Sequence, residues 1–440
     1  MEGDSSWPSE SELDEIRNKV AEMSGKNAKE VKVVISPYRI CPLGAHIDHQ
    51  GGAVLAMTIN KGVLLGFVAS GNSQVVLRSG QFEGEVRFSD QVCGCDQQLQ
   101  KRKEKETDLN ENGRAPSPIL EKNDWGTYAK GALYALQQQG MKLTQGIKGM
   151  ISGSECLDSS GLSSSAAVGV AYLLALESAN GLTVLPDVNI ELDRLIENEY
   201  LGLKNGILDQ SAILLSSYGC LTWMNCKTKE HKLIEWPNLQ SDRQIKEFKI
   251  LVACSGLKQT LKTNPGYNHR VSECLEAAKF LLEASGKAEL KPLLGNVKPE
   301  DYKTYKGKLL PNLAKRAEHF FSENRRVDEG LEAWRSGNLK LFGRLISESG
   351  QSSIDNYDCG CEPLIELYNI LLTTRGVFGA RFSGAGFRGC CFAFIDGNHA
   401  AEAVSFVNLE YAKVQKKFAK QLNSNAQVLI CELGHHARVA

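Results

Sequence analysis

No charge of one sign dominates this chain. Its 440 residues carry 51 Lys and Arg against 52 Asp and Glu, a formal net charge of −1. No whole-molecule field therefore draws it to nucleic acid or to an anionic membrane. Long apolar runs are also missing. The longest, residues 166–176, is interrupted by Gly169 and falls far short of the ~20 residues that span a bilayer. Met1-Glu-Gly-Asp-Ser-Ser has neither a basic nor an apolar signal region, so a soluble, cytoplasmic protein is expected.

Two phosphate-binding signatures are absent as well. Lys26, Lys287 and Lys308 follow glycines, but none precedes Ser or Thr, so there is no G-x-x-x-x-G-K-[ST] loop. The H-R-D and D-F-G set of protein kinases is missing too. Zinc spacing is not found: Cys93-x-Cys95 and Cys359-x-Cys361 are too close for a knuckle, and Cys390-Cys391 are adjacent. Thirteen cysteines, an odd number, indicate reduced thiols rather than a disulfide framework.

What is present reads as a mixed α+β protein. With 42% hydrophobic and 23% charged residues the composition is that of a globular chain, and the length exceeds a single core, which suggests domains at 1–235 and 236–440. Residues 9–23 read as an amphipathic helix with Ser9 and Glu12 as its capping box. Residues 31–35 read as a strand stopped by Ser36-Pro37, and 58–70 with 74–88 as hairpin strands. Residues 91–123 are rich in Gln, Lys, Glu and Asn and read as a mobile surface insertion. Helices are expected at 125–139, 162–179, 192–203 and 208–216, and through most of 271–370. Strands are expected at 147–152, 249–254, 380–383, 390–395 and 427–432.

Four segments carry chemistry. Asp158-Ser-Ser-Gly-Leu-Ser-Ser-Ser165 opens an apolar helix. Small residues there allow close backbone approach, and free N–H groups at a helix N-terminus hold an anion. Arg39-Ile-Cys-Pro-Leu-Gly-Ala-His46-Ile-Asp48 packs Arg, His and Asp into a turn after the first strand, suited to a polyhydroxylated ligand. His46 and His49 lack a third partner, so no metal is expected on them. Asn205-Gly-Ile-Leu-Asp209 sets an acid at a helix start, and Phe382-Ser-Gly-Ala-Gly-Phe-Arg388-Gly is a glycine-rich turn between strands.

In order and spacing these segments resemble the galactokinase branch of the GHMP small-molecule kinases, from about Val31 to Cys391. Trp125-Gly-Thr-Tyr-Ala-Lys-Gly131 is similar to a further family segment. The resemblance implies a two-domain fold with its active site between the domains, ATP as co-substrate, Mg²⁺ as cofactor and a sugar as acceptor, with no obligate protein partner. It implies Asp209 as catalytic base with Arg39 as its partner, and Ser165 and Glu197 as Mg²⁺ ligands. It places ATP against Trp125, Asp158, Ser159, Ser160, Gly161, Leu162, Ser163, Ser164 and Ser165. It places the sugar against His46, Asp48, Gly206 and Tyr267.

One position departs from the family pattern. Galactokinases carry Glu where this chain has Ala45, and that glutamate accepts a hydrogen bond from the C6 hydroxyl of galactose. A carboxylate at C6 would be repelled by it, by roughly 1–4 kcal/mol at ~4 Å. Ala45 removes the repulsion, so the expected substrate is D-galacturonic acid, with galactose or a pentose as alternatives. Arg270 and Arg388 are candidate cations for the carboxylate. A non-catalytic sugar sensor is the reading from another class, and intact Asp209, Arg39, Ser165 and Glu197 argue against it.

Overall fold

A computed structural model of the chain describes residues 7–89, 125–154, 162–237, 248–257, 266–420 and 427–440. Two sheets organise them. The strands are β1 (Lys32–Leu43), β2 (Ala53–Ala69), β3 (Gln74–Ser79), β4 (Glu85–Ser89), β5 (Ile147–Gly153), β6 (Cys220–Asn225), β7 (His231–Glu235), β8 (Phe248–Cys254), β9 (Val377–Phe382), β10 (Cys390–Asp396), β11 (Val428–Cys431) and β12 (Arg438–Val439). The larger, 8-stranded sheet runs β12-β1-β2-β5-β3-β4, with β6 and β7 joined to the other half of β2. The smaller, 4-stranded sheet runs β11-β8-β10-β9.

The described α-helices longer than four residues are α1 (Glu10–Ser24), α2 (Thr127–Gln138), α3 (Ser164–Ala179), α4 (Pro186–Leu195), α5 (Leu208–Leu215), α6 (Gly266–Ala284), α7 (Pro299–Tyr305), α8 (Pro311–Arg335), α9 (Leu339–Asp355), α10 (Glu362–Thr373) and α11 (Ala400–Val414). α1 starts where its capping box directs. The Ser9 N–H donates to Glu12 Oε2 at 2.8 Å and the Glu12 N–H to Ser9 Oγ at 3.3 Å. α3 is apolar nearly all round, as a helix enclosed by its neighbours must be, and its Ala, Val, Leu and Tyr residues lie in the main core.

Three expectations need correction. The first strand does not stop at Ser36-Pro37: β1 runs on to Leu43, so Arg39 sits on a strand rather than in a turn. β12 and the Ala440 that follows it flank β1 from Val33 to Ile35 and no further. At Pro37 that side of β1 is an edge, where the missing N–H is tolerated, and the register shifts between Pro37 and Arg39. Residues 58–70 and 74–88 are not a hairpin, because β5 lies between β2 and β3; the hairpin is β3 with β4. The helix expected at 192–203 begins earlier, with Pro186 in its first turn, and passes at Ile196 into a π-helical turn that ends at Tyr200. The insertion expected at 91–123 lies outside the described residues.

Candidate active site

The base and its partner meet across two elements. Arg39 projects from β1 beyond the register shift, and Asp209 from the first turn of α5. Arg39 Nε and Nη2 both lie 2.7 Å from Asp209 Oδ1. Arg39 is buried, which works against its charge, but the adjacent Asp209 carboxylate outweighs that and holds the guanidinium ionised. The Arg39 N–H donates to the Leu162 carbonyl at 3.2 Å, tying β1 to the chain entering α3.

The loop after β1 owes its shape to α8, rung by rung. Gly330 packs on Leu43, where a Cβ would lie 2.2 Å from Leu43 Cδ1. The Gly44 N–H donates to Glu323 Oε1 at 2.8 Å. The Ala45 carbonyl accepts from His319 Nε2 at 3.0 Å, which leaves Nδ1 to accept from Ser352 Oγ at 2.9 Å. Burial pushes His319 down to about 4, so it stays neutral at pH 7 with its Nε2–H in place. Burial opposes the Glu323 charge, yet Arg326, Arg381 and the Ser349 hydroxyl hold its carboxyl below the usual range. Gly44, with φ +91°, is required: a Cβ would sit 2.6 Å from the Ala53 carbonyl.

His46, at φ 63°, stacks on Tyr357 with ring centroids 4.3 Å apart and planes 12° apart. Gln50 Nε2 donates to His49 Nδ1 at 3.0 Å, and His49 Nε2 donates to the Tyr357 hydroxyl at 3.2 Å. Burial depresses both histidines, His49 to about 4, so each is neutral. Asp48 Oδ2 accepts from the Leu208 N–H at 3.3 Å, which joins this loop to α5. Burial and the charge of Asp209 raise Asp48 to about 6. Gly206 admits no side chain, since a Cβ would lie 2.1 Å from Asp48 Oδ2. Tyr267 meets His49 edge-on at 6.3 Å. Arg39, Ala45, His46, Asp48, Gly206, Asp209 and Tyr267 are thus linked by these contacts into one region.

On the other side of Asp209 the chain turns through Leu162 and Ser163 into α3. Ser163 adopts φ 59°, and its buried hydroxyl has no hydrogen-bond partner among the described residues. Ser164 and Ser165 begin the helix, where N–H groups are free to meet an anion. Asp158, Ser159, Ser160 and Gly161 lie outside the described residues. Glu197 is in the π-helical turn, 1% exposed. Burial and the Asp209 charge raise it to about 7, while the Asn205 and Ser165 side chains pull the other way. Its Oε2 accepts from Asn205 Nδ2 at 2.5 Å, and its buried Oε1 has no partner among the described residues. A buried, unpartnered carboxylate oxygen with a serine hydroxyl beside it fits a hard divalent cation.

The two candidate cations fall apart. Arg388 exerts its charge on Tyr128, which also feels Glu197 and Asp193; this puts it at the serine-loop end. Arg270 Nη1 is engaged by Glu273 Oε2 at 2.6 Å and lies 3.7 Å from Asp358. Trp125, just before α2, holds its ring nearly parallel to Phe82.

Sequence reasoning missed His319, Glu323, Tyr357 and Ser383, whose Oγ lies 3.4 Å from Arg39 Nη1. One signal was available. Arg316, His319, Glu323 and Arg326 recur at helical spacing and are all buried, a polar stripe on a face that also buries Ala317, Phe320 and Val327.

Residues 127–217 match the model of the GHMP kinases N terminal domain, and residues 330–413 match that of GHMP kinases C terminal. The chain is 63% identical to a galacturonokinase from Arabidopsis thaliana over 99% of both chains. It is 28% identical to a galactokinase from Clostridium perfringens over 91% of this chain and 94% of that one. The crystal structure of Lactococcus lactis galactokinase complexed with galactose superposes with a TM-score of 0.78 at 26% identity, covering 97% of this chain and 99% of that one. A mevalonate kinase structure shares the fold at a TM-score of 0.55 and 16% identity.

Proposed function

Because the chain belongs to the GHMP kinase family, on the branch that holds galactokinases and galacturonokinase, we propose that it is a sugar-1-kinase. It transfers the γ-phosphoryl group of ATP to the anomeric hydroxyl of D-galacturonic acid. One observation carries the reading: the 2.7 Å contact of Arg39 with Asp209, beside a sugar loop whose side chain at position 45 is a methyl group.

Asp209 makes its bonds to Arg39 through Oδ1, and its Oδ2 takes the proton of the C1 hydroxyl. The sugar oxygen forms its bond to the γ-phosphorus while the bond to the β,γ-bridging oxygen breaks, and ADP carries away that electron pair. Arg39 fixes the Asp209 carboxylate through its two contacts to Oδ1 and balances the charge that develops on the sugar oxygen. The N–H groups at the start of α3 bind the phosphates. Glu197 and Ser165 would hold Mg²⁺, which supplies neutralisation of the β- and γ-phosphate charges. Asp48, His46, the Gly206 backbone and Tyr267 read the ring hydroxyls. His46 and His49 are neutral, so neither adds charge at the sugar. Ala45 leaves the C6 carboxylate unopposed by a second acid.

We divide the chain at 235/236: the first part carries the sugar loop, the serine loop and Asp209, and the second carries α8. None of the described cysteines is paired in a disulfide, and no described helix is long and apolar enough to cross a membrane. The unpaired thiols fit a place in the reducing cytoplasm.

The test is ATP consumption by the purified chain with galacturonate, galactose, arabinose and glucuronate. Galacturonate is expected to give the highest kcat/KM. A higher value for galactose or arabinose overturns the substrate, and binding without turnover of any sugar returns the sensor reading.

A further inference from the structure

Phe82 is a large aromatic side chain left 56% exposed. Exposure alone is common and decides nothing. Its surroundings are less ordinary. The turn that carries it is pinned at every step: the N–H groups of Gln81 and Phe82 donate to Ser79 Oγ at 3.1 and 3.3 Å. The Gly80 N–H donates to the Ile151 carbonyl at 2.8 Å, and Gln81 Nε2 to the Gly153 carbonyl at 3.0 Å. Those two carbonyls lie at the end of β5, the strand that leads into the serine loop. Phe82 is therefore held beside the C-terminal end of β5.

Across from it stands Trp125. The two rings are nearly parallel, 11° apart, with centroids separated by 6.4 Å. A flat heterocycle lying parallel to one ring is parallel to the other. Trp125 is itself packed against the main core, so its position is set by the fold, and Phe82 presents the exposed member of the pair. An aromatic pair of common orientation, one ring anchored and one exposed, is the arrangement on which a purine stacks.

We propose that Phe82 is the second aromatic wall of the nucleobase site, paired with Trp125, and that it contributes ATP affinity through the adenine ring. The inference rests on the kinase reading for the presence of ATP, and on the Phe82–Trp125 geometry for the residue. Phe82 has no part in the transfer step. It is a binding residue whose effect is confined to the base.

Isothermal titration without sugar tests it, using ATP and inorganic tripolyphosphate as probes of wild type, Phe82→Ala and Phe82→Tyr. ATP binding by Phe82→Ala should weaken on the order of tenfold, the usual scale for loss of one base–aromatic stack. Tripolyphosphate, which has no base, should bind all three proteins alike, and Phe82→Tyr should bind ATP as wild type does. In turnover, Phe82→Ala should raise KM for ATP while kcat and the sugar KM hold. Equal ATP affinity in Phe82→Ala and wild type overturns the proposal, as does parallel weakening of ATP and tripolyphosphate. A wild type that binds tripolyphosphate but shows no preference for ATP also overturns it while leaving the phosphate site standing. A wild type that binds neither probe overturns the kinase reading as well.

Discussion

Ala45→Glu is the perturbation that bears most directly on the substrate. The backbone at this position is fixed from outside by His319 on the Ala45 carbonyl and by Glu323 on the neighbouring Gly44 N–H. The substitution therefore changes the side chain without releasing the loop. A carboxylate at ~4 Å from the C6 carboxylate costs roughly 1 kcal/mol in water and about 4 at an effective dielectric near 20. Ala45 is only 7% exposed, which favours the upper part of that range. About 3 kcal/mol corresponds to on the order of 10²-fold in kcat/KM for galacturonate. Activity on galactose should rise at the same time, because the new carboxylate accepts a hydrogen bond from the C6 hydroxyl. A coupled assay of ADP release, run with both sugars, gives the ratio of the two kcat/KM values. General damage lowers both and cancels in that ratio. If the ratio is unchanged, position 45 does not select the substrate and the electrostatic argument is wrong.

Asp209→Asn should keep ATP binding by calorimetry and lose at least ~10²-fold in kcat, and Arg39→Lys should fare poorly because a single ammonium does not replace the guanidinium fork. Glu197→Gln should shift the Mg²⁺ dependence of turnover to higher concentration without lowering the melting temperature; an unchanged titration would make Glu197 structural. Asp48 sits at about 6 in the fold, above the 3.8 of a free aspartate side chain. The native state thus binds more protons than the unfolded one between those values, and stability falls as pH rises through that window. Asp48→Asn should flatten melting temperature against pH there while weakening sugar binding, and a wild-type pH slope in the variant would refute the assignment. Gly206→Ala should raise the sugar KM, since its methyl meets Asp48 Oδ2; unaltered sugar kinetics would show that the loop gives way.

Local signals carried well where local physics decides. The capping box at Ser9 and Glu12, the apolar strands at 147–152 and 249–254, and the helix after Ser163 were all legible because propensity, burial and caps agree there. The strand order was not. Nothing near residues 58–88 says that β5, from far along the chain, inserts between β2 and β3. Pro37 misled for a related reason, since the partner that determines whether its missing N–H matters is β12 at the opposite end of the sequence. The site divided in the same way. Arg39, His46, Asp48, Ser165 and Asp209 lie in quoted motifs, and Glu197 came from the family resemblance alone. The side chains that hold the sugar loop at Gly44 and Ala45, Glu323 and His319, sit on a helix with no motif of its own. Charge balance also hid information: Arg270 and Arg388 look alike in sequence, yet one is engaged by Glu273 and the other lies near Tyr128.

The successive contacts of α8 with Leu43, Gly44 and Ala45 have a bearing on how such an enzyme changes its diet. The segment that reads the sugar does not choose its own shape; a helix from the other half of the protein imposes it, at Gly44 and Ala45 through backbone atoms. A new residue at position 45 inherits that shape whatever its chemistry. Selectivity can then drift by single substitutions, each sampled on an unaltered frame. The same coupling makes supporting positions costly: a change at Glu323, which touches the loop only at the Gly44 N–H, should disturb every sugar alike and offer no new preference in return.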